Sequence, residues 1–276
     1  MKVAFSTAAC PEWTWDEVIT KAADFGFDGI EWRFPEGPDL RSVLSRSLAA
    51  EIGTATVEAG LGVPAFDCGL VIPIGPEPER LPLLAVVSDG LETARLLRAE
   101  RLVVAPGPYP ELVTDAEAAT WLGAALTSLK GAMGRTGVRL ALDLKRTLPW
   151  DRARLRAKTC SAFLNEALWN LDLPEVGVQW DLGESYLEGE RADQVWDNVW
   201  RWFSYLQIRD MDEDKSGWRN VDLGTGKLPV SFALAYVGGP KYTGWTSLNW
   251  DRQADPSLAP ADEVLAAFIR FISDYQ

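Results

Sequence analysis

Five apolar runs in this chain end in polar residues spaced i, i+2: Glu31 and Arg33, Asp143 and Lys145, Gln179 and Asp181, Gln207 and Arg209, Asn249 and Asp251. Asp67 closes a sixth run. Alternate residues of a strand face the same way, so each pair is expected to point together. Carboxylates beside ammonium and guanidinium groups suit proton abstraction next to a carbonyl, with the acid as base and the cation stabilising the oxyanion that forms. Asp143 is the candidate base, or Lys145 if its pKa is depressed. Asp181 and Glu184 are further candidate acid or base groups. Lys145 as a Schiff-base nucleophile is an alternative that the adjacent carboxylates oppose, because it requires desolvation. Glu31, Arg33, Gln207, Arg209 and Asn249 are candidate substrate contacts. Burying so many charges would be costly without compensation, so they must neutralise one another, bind an ion, or face water and substrate.

The composition removes several other chemistries. There is no histidine, and without it Ser-His-Asp and Cys-His nucleophiles are excluded, along with most hydrolase readings. A formal net charge of -13 sets phosphate binding against repulsion, so nucleic acid is not an expected partner. Cys10, Cys68 and Cys160 match no CxxC pattern and read as thiols packed in a reducing compartment. No apolar run approaches a membrane span, and MKVAFSTAA is too short and polar for a signal peptide, so the expected location is the cytoplasm and no membrane partner is expected.

The elements that must position the pairs follow from hydrophobic period. Strands are expected at 3–7, 29–33, 63–67, 101–106, 138–144, 176–181, 203–209 and 243–251. Helices are expected after the first strand up to Gly26, then from about Asp39 to Ala59, Glu77 to Arg98, Asp115 to Gly134, Asp151 to Leu171, onward to Trp202, at 231–237, and from Asp262 to Ser273. Eight strand and helix units in 276 residues suit a single-domain α/β protein over 1–276, most economically a closed (β/α)8 TIM barrel, with an open doubly wound sheet as the alternative. In such a barrel, catalytic groups gather at the C-terminal ends of the strands, where the pairs fall. Two segments are expected to be long loops, Gly69–Pro78 and Asp210–Pro229. The second contains LGTGK, which has a fragment of a phosphate-loop spacing and reads as a glycine turn.

Thirteen tryptophans are present, and Trp13, Trp15, Trp32, Trp150, Trp180, Trp218, Trp245 and Trp250 fall at or just after strands. They read either as core and lip packing or as faces for stacking a sugar ring. Trp13 and Trp180 are the candidates for substrate contact.

Several stretches taken together resemble the xylose isomerase-like barrel superfamily of sugar isomerases, sugar epimerases, inosose dehydratases and zinc endonucleases. They are ADFGFDGIEWR (23–33), GVRLALDLK (137–145), VGVQWDLGES (176–185), YLQIRDMD (205–212) and GWTSLNWD (244–251). The resemblance implies a divalent metal held by Glu, Asp, His and Glu on strands five to eight. Here those positions carry Asp143, Asp181, Gln207 and Asn249, while Glu184 and Lys145 replace two further histidines. Imidazole and one carboxylate have given way to neutral amides, so transition-metal affinity should fall. No resident metal or other cofactor is expected, with a weak Mg2+ or Ca2+ site of oxygens as the alternative. Lys145, Arg209 and Arg33 are expected to supply the charge that balances Asp143, Asp181 and Glu31. What this leaves is one-base chemistry of isomerase or lyase type on a hydroxylated small molecule such as a sugar, cyclitol or glycoside. The alternative is a non-catalytic carbohydrate- or partner-binding protein, and self-association into a homo-oligomer stays open.

Overall fold

A computed structural model describes residues 1–34, 44–110, 112–145, 159–215 and 217–275. Eight parallel strands close into a barrel: β1 (Lys2–Ser6), β2 (Gly29–Arg33), β3 (Phe66–Ile72), β4 (Arg101–Pro106), β5 (Arg139–Asp143), β6 (Val176–Asp181), β7 (Phe203–Ile208) and, last in the chain, β10 (Trp245–Leu248). The ring runs β1-β10-β7-β6-β5-β4-β3-β2, so β1 pairs with both the second and the last barrel strand. The strands are short apolar runs because both faces are covered, by helices outside and by lumen side chains inside.

The helices begin and end where local chemistry dictates. In α1 (Trp15–Phe25), Thr14 and Glu17 form a capping box at the start, and Gly26 ends the helix at φ 82°. Ser45 caps α2 (Arg46–Glu58) by accepting from the Leu48 amide. The first turns of α3 (Glu77–Leu96) and α4 (Asp115–Thr136) carry acids that complement the helix dipole. Next come α5 (Cys160–Leu168), α6 (Leu182–Leu187), α7 (Ala192–Val199), α8 (Val230–Tyr236) and α9 (Ala261–Ser273). The sheet and helix layer buries one continuous apolar core, and a second cluster fills the lumen with Ala4, Ala65, Val103, Ala141, Tyr205 and Trp245. Four small or slim neighbours leave room for the Tyr205 and Trp245 rings. Gly29 and Gly62 matter for the same reason, since a Cβ at either would sit 2.8 Å from the Trp245 ring.

Four elements differ from the sequence expectation. The third strand starts at Phe66 and runs to Ile72, so Asp67 stands at its beginning, and an irregularity between Asp67 and Val71 turns the expected Gly69–Pro78 loop partly into strand. The helix after β6 is two helices, because Gly189 at φ 82° breaks it between α6 and α7. The expected Asp210–Pro229 loop contains an antiparallel hairpin, β8 (Asp210–Asp214) with β9 (Gly217–Val221). Its acidic first strand, DMDED, hid it from a hydrophobic-period reading. The last barrel strand spans Trp245–Leu248 rather than 243–251. The expected helix starts at Asp39 and Asp151 lie outside the described residues.

LGTGK is a glycine turn, and it wraps a carboxylate. Both oxygens of the buried Asp210 accept backbone amides, Oδ2 from Gly224 and Gly226 at 2.9 Å, Oδ1 from Met211 at 2.9 Å and Leu228 at 3.1 Å. Gly224 sits at φ 83°, and a side chain on Gly226 would collide with Asp210. This holds the segment after β7 in place beside the barrel mouth. Cys10, Cys68 and Cys160 are buried and form no disulfide among the described residues.

Candidate active site

A cleft of about 300 Å³ opens at the C-terminal ends of the barrel strands, lined by Arg33, Asp67, Asp143, Lys145, Asp181, Glu184, Gln207, Arg209, Asn249 and Asp251 among others. The period-two spacing therefore brings three of the five pairs to the cleft whole, and Arg33 and Asp181 from the other two, while Glu31 and Gln179 are buried and do not line it. Below them runs a hydrogen-bonded chain across the lumen. Gln207 Nε2 donates to Glu31 Oε1 at 2.8 Å, and Gln207 Oε1 accepts from Asn249 Nδ2 at 3.1 Å. Asn249 Nδ2 also donates to Asp181 Oδ2 at 3.1 Å. Asp181 is at once a lumen residue and the N-cap of α6, with Oδ1 accepting from the Glu184 amide at 2.8 Å.

Arg209 closes this chain. Its Nη2 lies 2.7 Å from Glu184 Oε1 and 3.8 Å from Asp181 Oδ1. Burial works against the charge on Arg209, but Asp181, Glu184 and Asp143 outweigh it and its pKa is raised. Arg33 makes a separate bridge at the rim, 3.5 Å from Asp67 and 3.2 Å from Asp251. Arg209 thus balances Asp181 and Glu184, while Arg33 pairs with Asp67 and Asp251 and its charge also acts on Glu31. Glu31 receives an amide from Gln207 in place of a direct cation.

Two carboxyls are strongly perturbed. Glu31 is fully buried, and desolvation raises its pKa to about 7 against the opposing effects of Ser247, Arg33 and Gln207. Asp143 opens on the cleft, while its Oδ1 is shielded from solvent and has no hydrogen-bond partner among the described residues. Loss of water first, and then the charges of Asp181, Glu184 and Asp67, raise its pKa well above the ordinary range, with Lys145 pulling it down. Groups tuned in this way are characteristic of reaction centres, although ion-pair networks also produce them.

The tryptophans read as packing. Trp180 faces the helix layer, fully buried, with Nε1 donating to Ser185 Oγ at 3.2 Å and its ring 6.1 Å from that of Trp196. It alternates with Gln179 and Asp181, so it cannot share their face. Trp13 lies under the Lys21 ammonium at 4.2 Å. Neither lines the cleft among the described residues, which corrects the expected substrate contacts. Trp245 forms the lumen floor, and Trp150 lies outside the described residues. Sequence reasoning had assigned no part to Ser247, Tyr205 or Gly183. Ser247 was within reach, since it stands on the last barrel strand two residues before Asn249.

The family model of the xylose isomerase-like TIM barrel matches residues 19–273. The chain belongs to this family. No match emerges among curated proteins. Solved structures of the xylose isomerase-like fold superpose along nearly the whole length. The IolI protein with a bound zinc atom has a TM-score of 0.78 at 16% identity, covering 100% of this chain and 99% of that one. The probable 3-DHS dehydratase AsbF of Bacillus anthracis, involved in petrobactin synthesis, has 0.75 at 12%, with 100% of both chains covered. D-psicose 3-epimerase of Clostridium cellulolyticum H10, solved with D-tagatose, has 0.74 at 16%, covering 100% and 99%. At these identities the likeness speaks for the fold.

Proposed function

We propose that this xylose isomerase-like barrel is an enzyme of isomerase or lyase type. Its substrate is a neutral hydroxylated carbonyl compound of the sugar or cyclitol class, and its one base is Asp143. The observation that carries the reading is Asp143 itself: a carboxyl at the cleft with an oxygen unpartnered among the described residues, a raised pKa and a lysine two residues beyond the end of its strand. A base whose basicity is raised toward neutrality is better matched to a weakly acidic C–H than an ordinary carboxylate. In the ionised state Asp143 takes the proton from the carbon next to the carbonyl. The bond electrons move onto the carbonyl oxygen, where the Lys145 ammonium stabilises the growing charge. Asp143, now protonated, delivers the proton to the former carbonyl carbon, while the proton of the adjacent hydroxyl passes to the former carbonyl oxygen, which completes isomerisation. For elimination, the hydroxyl on the next carbon leaves as water with the proton that Asp143 has taken, and Glu184 in the cleft lining is the further candidate acid. Similarity to a psicose epimerase and a probable dehydratase supports both outcomes of the same enediolate.

No step is routed through a metal. Two of the four positions that would hold one are engaged otherwise: both oxygens of Asp181 accept hydrogen bonds and a guanidinium nitrogen stands 3.8 Å away, and Gln207 Oε1 accepts from Asn249, while Asp143 Oδ1 and Asn249 Oδ1 have no hydrogen-bond partner among the described residues. Two neutral amides and a raised-pKa carboxyl form a poor donor set for a transition dication, and the adjacent cation weakens it further.

The test is hydrogen exchange in D2O, followed by NMR, over a panel of ketoses, inosose-like ketones and keto-glycosides. Deuterium should enter at the carbon next to the carbonyl with wild-type protein and fail to enter with Asp143→Asn. Exchange undiminished in Asp143→Asn would remove the proposed base. Tight binding of a panel member with no exchange would favour the non-catalytic, carbohydrate-binding reading.

A further inference from the structure

The opposite end of the barrel carries a second concavity of about 390 Å³, formed where β4, β5, β6 and β7 begin. In a chain of net charge -13 its lining is cationic: Arg101, Arg139 and Arg201 face it, with Asp172 as the acid. Arg101 is 6% exposed and rigidly held, its Nε donating to Ser204 Oγ at 2.6 Å and its Nη1 to the Pro64 carbonyl at 3.2 Å and to Glu100 at 2.7 Å. Glu100 is shared, since Arg139 Nη2 reaches it at 3.5 Å and the Trp245 indole nitrogen at 2.9 Å. One carboxylate therefore serves two guanidinium groups. Arg201 forms no ion pair with a described residue. It is braced between rings, 4.7 Å from the centroid of Trp169 and 5.6 Å from that of Trp202. Trp202, Leu171 and Phe203 supply the apolar part of the wall, and Gly177 keeps the floor clear, since a Cβ there would sit 2.9 Å from Ser204.

We propose that this cleft is a binding site for a small oxyanion, a carboxylate or a phosphate carried on a compact apolar body. Guanidinium groups present planar donor forks that match such oxyanions, and the freedom lost on binding is limited because Arg101 is held by three hydrogen bonds and Arg201 is stacked on two indole rings. The three guanidinium groups outnumber the two carboxylates beside them, Glu100 and Asp172, and an incoming anion balances that surplus. Burial and the charge of Arg101 already lower the pKa of Arg139, which reflects the same crowding. The site lies across the barrel from the reaction centre, so it stands whether or not the catalytic proposal does.

Titration calorimetry at fixed ionic strength in chloride tests it, with inorganic phosphate as one probe and benzoate as the other. Saturable binding of either probe is expected. It should weaken by about tenfold or more, about 1.4 kcal/mol, in Arg139→Ala and in Arg201→Ala, both partly exposed residues whose loss should leave the fold intact by circular dichroism. Arg33→Ala, at the other mouth, should bind as wild type. The stronger probe identifies the source: phosphate points to a phosphorylated ligand, benzoate to a ring-borne carboxylate. Failure of both probes to bind would overturn the proposal. Binding lost in Arg33→Ala and kept in Arg139→Ala would do the same, since the anion would then sit in the catalytic mouth.

Discussion

The guanidinium of Arg209 lies directly against the α-carbon of Gly183, so close that a methyl group on Gly183 would occupy the space of Nε. This contact lets a buried cation reach Glu184 and Asp181 from the neighbouring strand. Gly183 is needed for the close approach, not for its backbone angles.

Gly183→Ala should therefore expel Arg209 and leave Asp181 and Glu184 without their cation. Overpacking alone costs about 1–3 kcal/mol, and the unpaired acids add to it. Denaturant unfolding reads the loss. Adding Arg209→Ala to Gly183→Ala should cost little more, because the first change has already displaced the guanidinium. Fully additive losses in the double variant would contradict the account.

Asp143 gives a prediction in pH. Its folded pKa is raised, so the ionised, basic form appears only as pH climbs beyond the ordinary carboxylate range, and exchange activity should rise along an acid limb displaced upward. Lys145 lowers that pKa and Asp181 raises it. Lys145→Met should thus move the limb to higher pH, and Asp181→Asn to lower pH. The carboxyl C=O stretch of Asp143 in infrared difference spectra, assigned with Asp143→Asn, should titrate in step. Limbs that stay fixed in both variants would show that another group sets the profile.

Much of this was legible in the sequence, for definite reasons. Parallel strands covered on both sides are short apolar runs, and a polar residue two positions beyond another on such a strand must share its face, which is why Asp143, Asp181, Gln207, Arg209 and Asn249 could be placed together. Which cation meets which acid could not be read, because it depends on reach across strands. Arg33 forms ion pairs with Asp67 and Asp251, while its charge also acts on Glu31. The hairpin after β7 was also hidden, since MDEDK has no apolar period and the four backbone amides that Asp210 gathers come mostly from residues more than ten positions away. Trp180 was misjudged for a simpler reason: an odd and an even position on one strand cannot both face the lumen.

Glu31 links the site to stability. Its pKa rises from the ordinary 4.5 to about 7 on folding, chiefly through desolvation. Below about pH 4.5 the group is protonated in both states and imposes no penalty. Between about 4.5 and about 7 the unfolded chain loses the proton first, so stability falls with rising pH, by about 3 kcal/mol in total from the size of the shift. Above about 7 the penalty is constant. Glu31→Gln keeps an acceptor for Gln207 and cannot ionise. It should match wild type near pH 4 and exceed its stability near pH 8, a comparison that urea unfolding at the two pH values makes directly. Equal stability at both would show that Glu31 ionises without cost inside the barrel.

The amides at 207 and 249 give the last prediction. If they are what makes the site a poor host for transition ions, restoring the ligand types implied by the family resemblance should change metal affinity and not merely activity. Gln207→His with Asn249→Glu would place one imidazole and three carboxylates around the lumen mouth, with Asp143 and Asp181 unchanged. Arg209 still opposes the ion, yet the gain in donor charge is larger than an outer contact can offset, and Zn2+ or Mn2+ should bind more tightly than to wild type by more than the 10–100-fold that outer contacts alone typically contribute. Elemental analysis after dialysis, with calorimetry for the affinities, measures it. Wild-type protein that retains a stoichiometric transition ion through dialysis would show that Gln207 and Asn249 turn their oxygens to a metal, and the one-base reading would have to yield to a metal-assisted one.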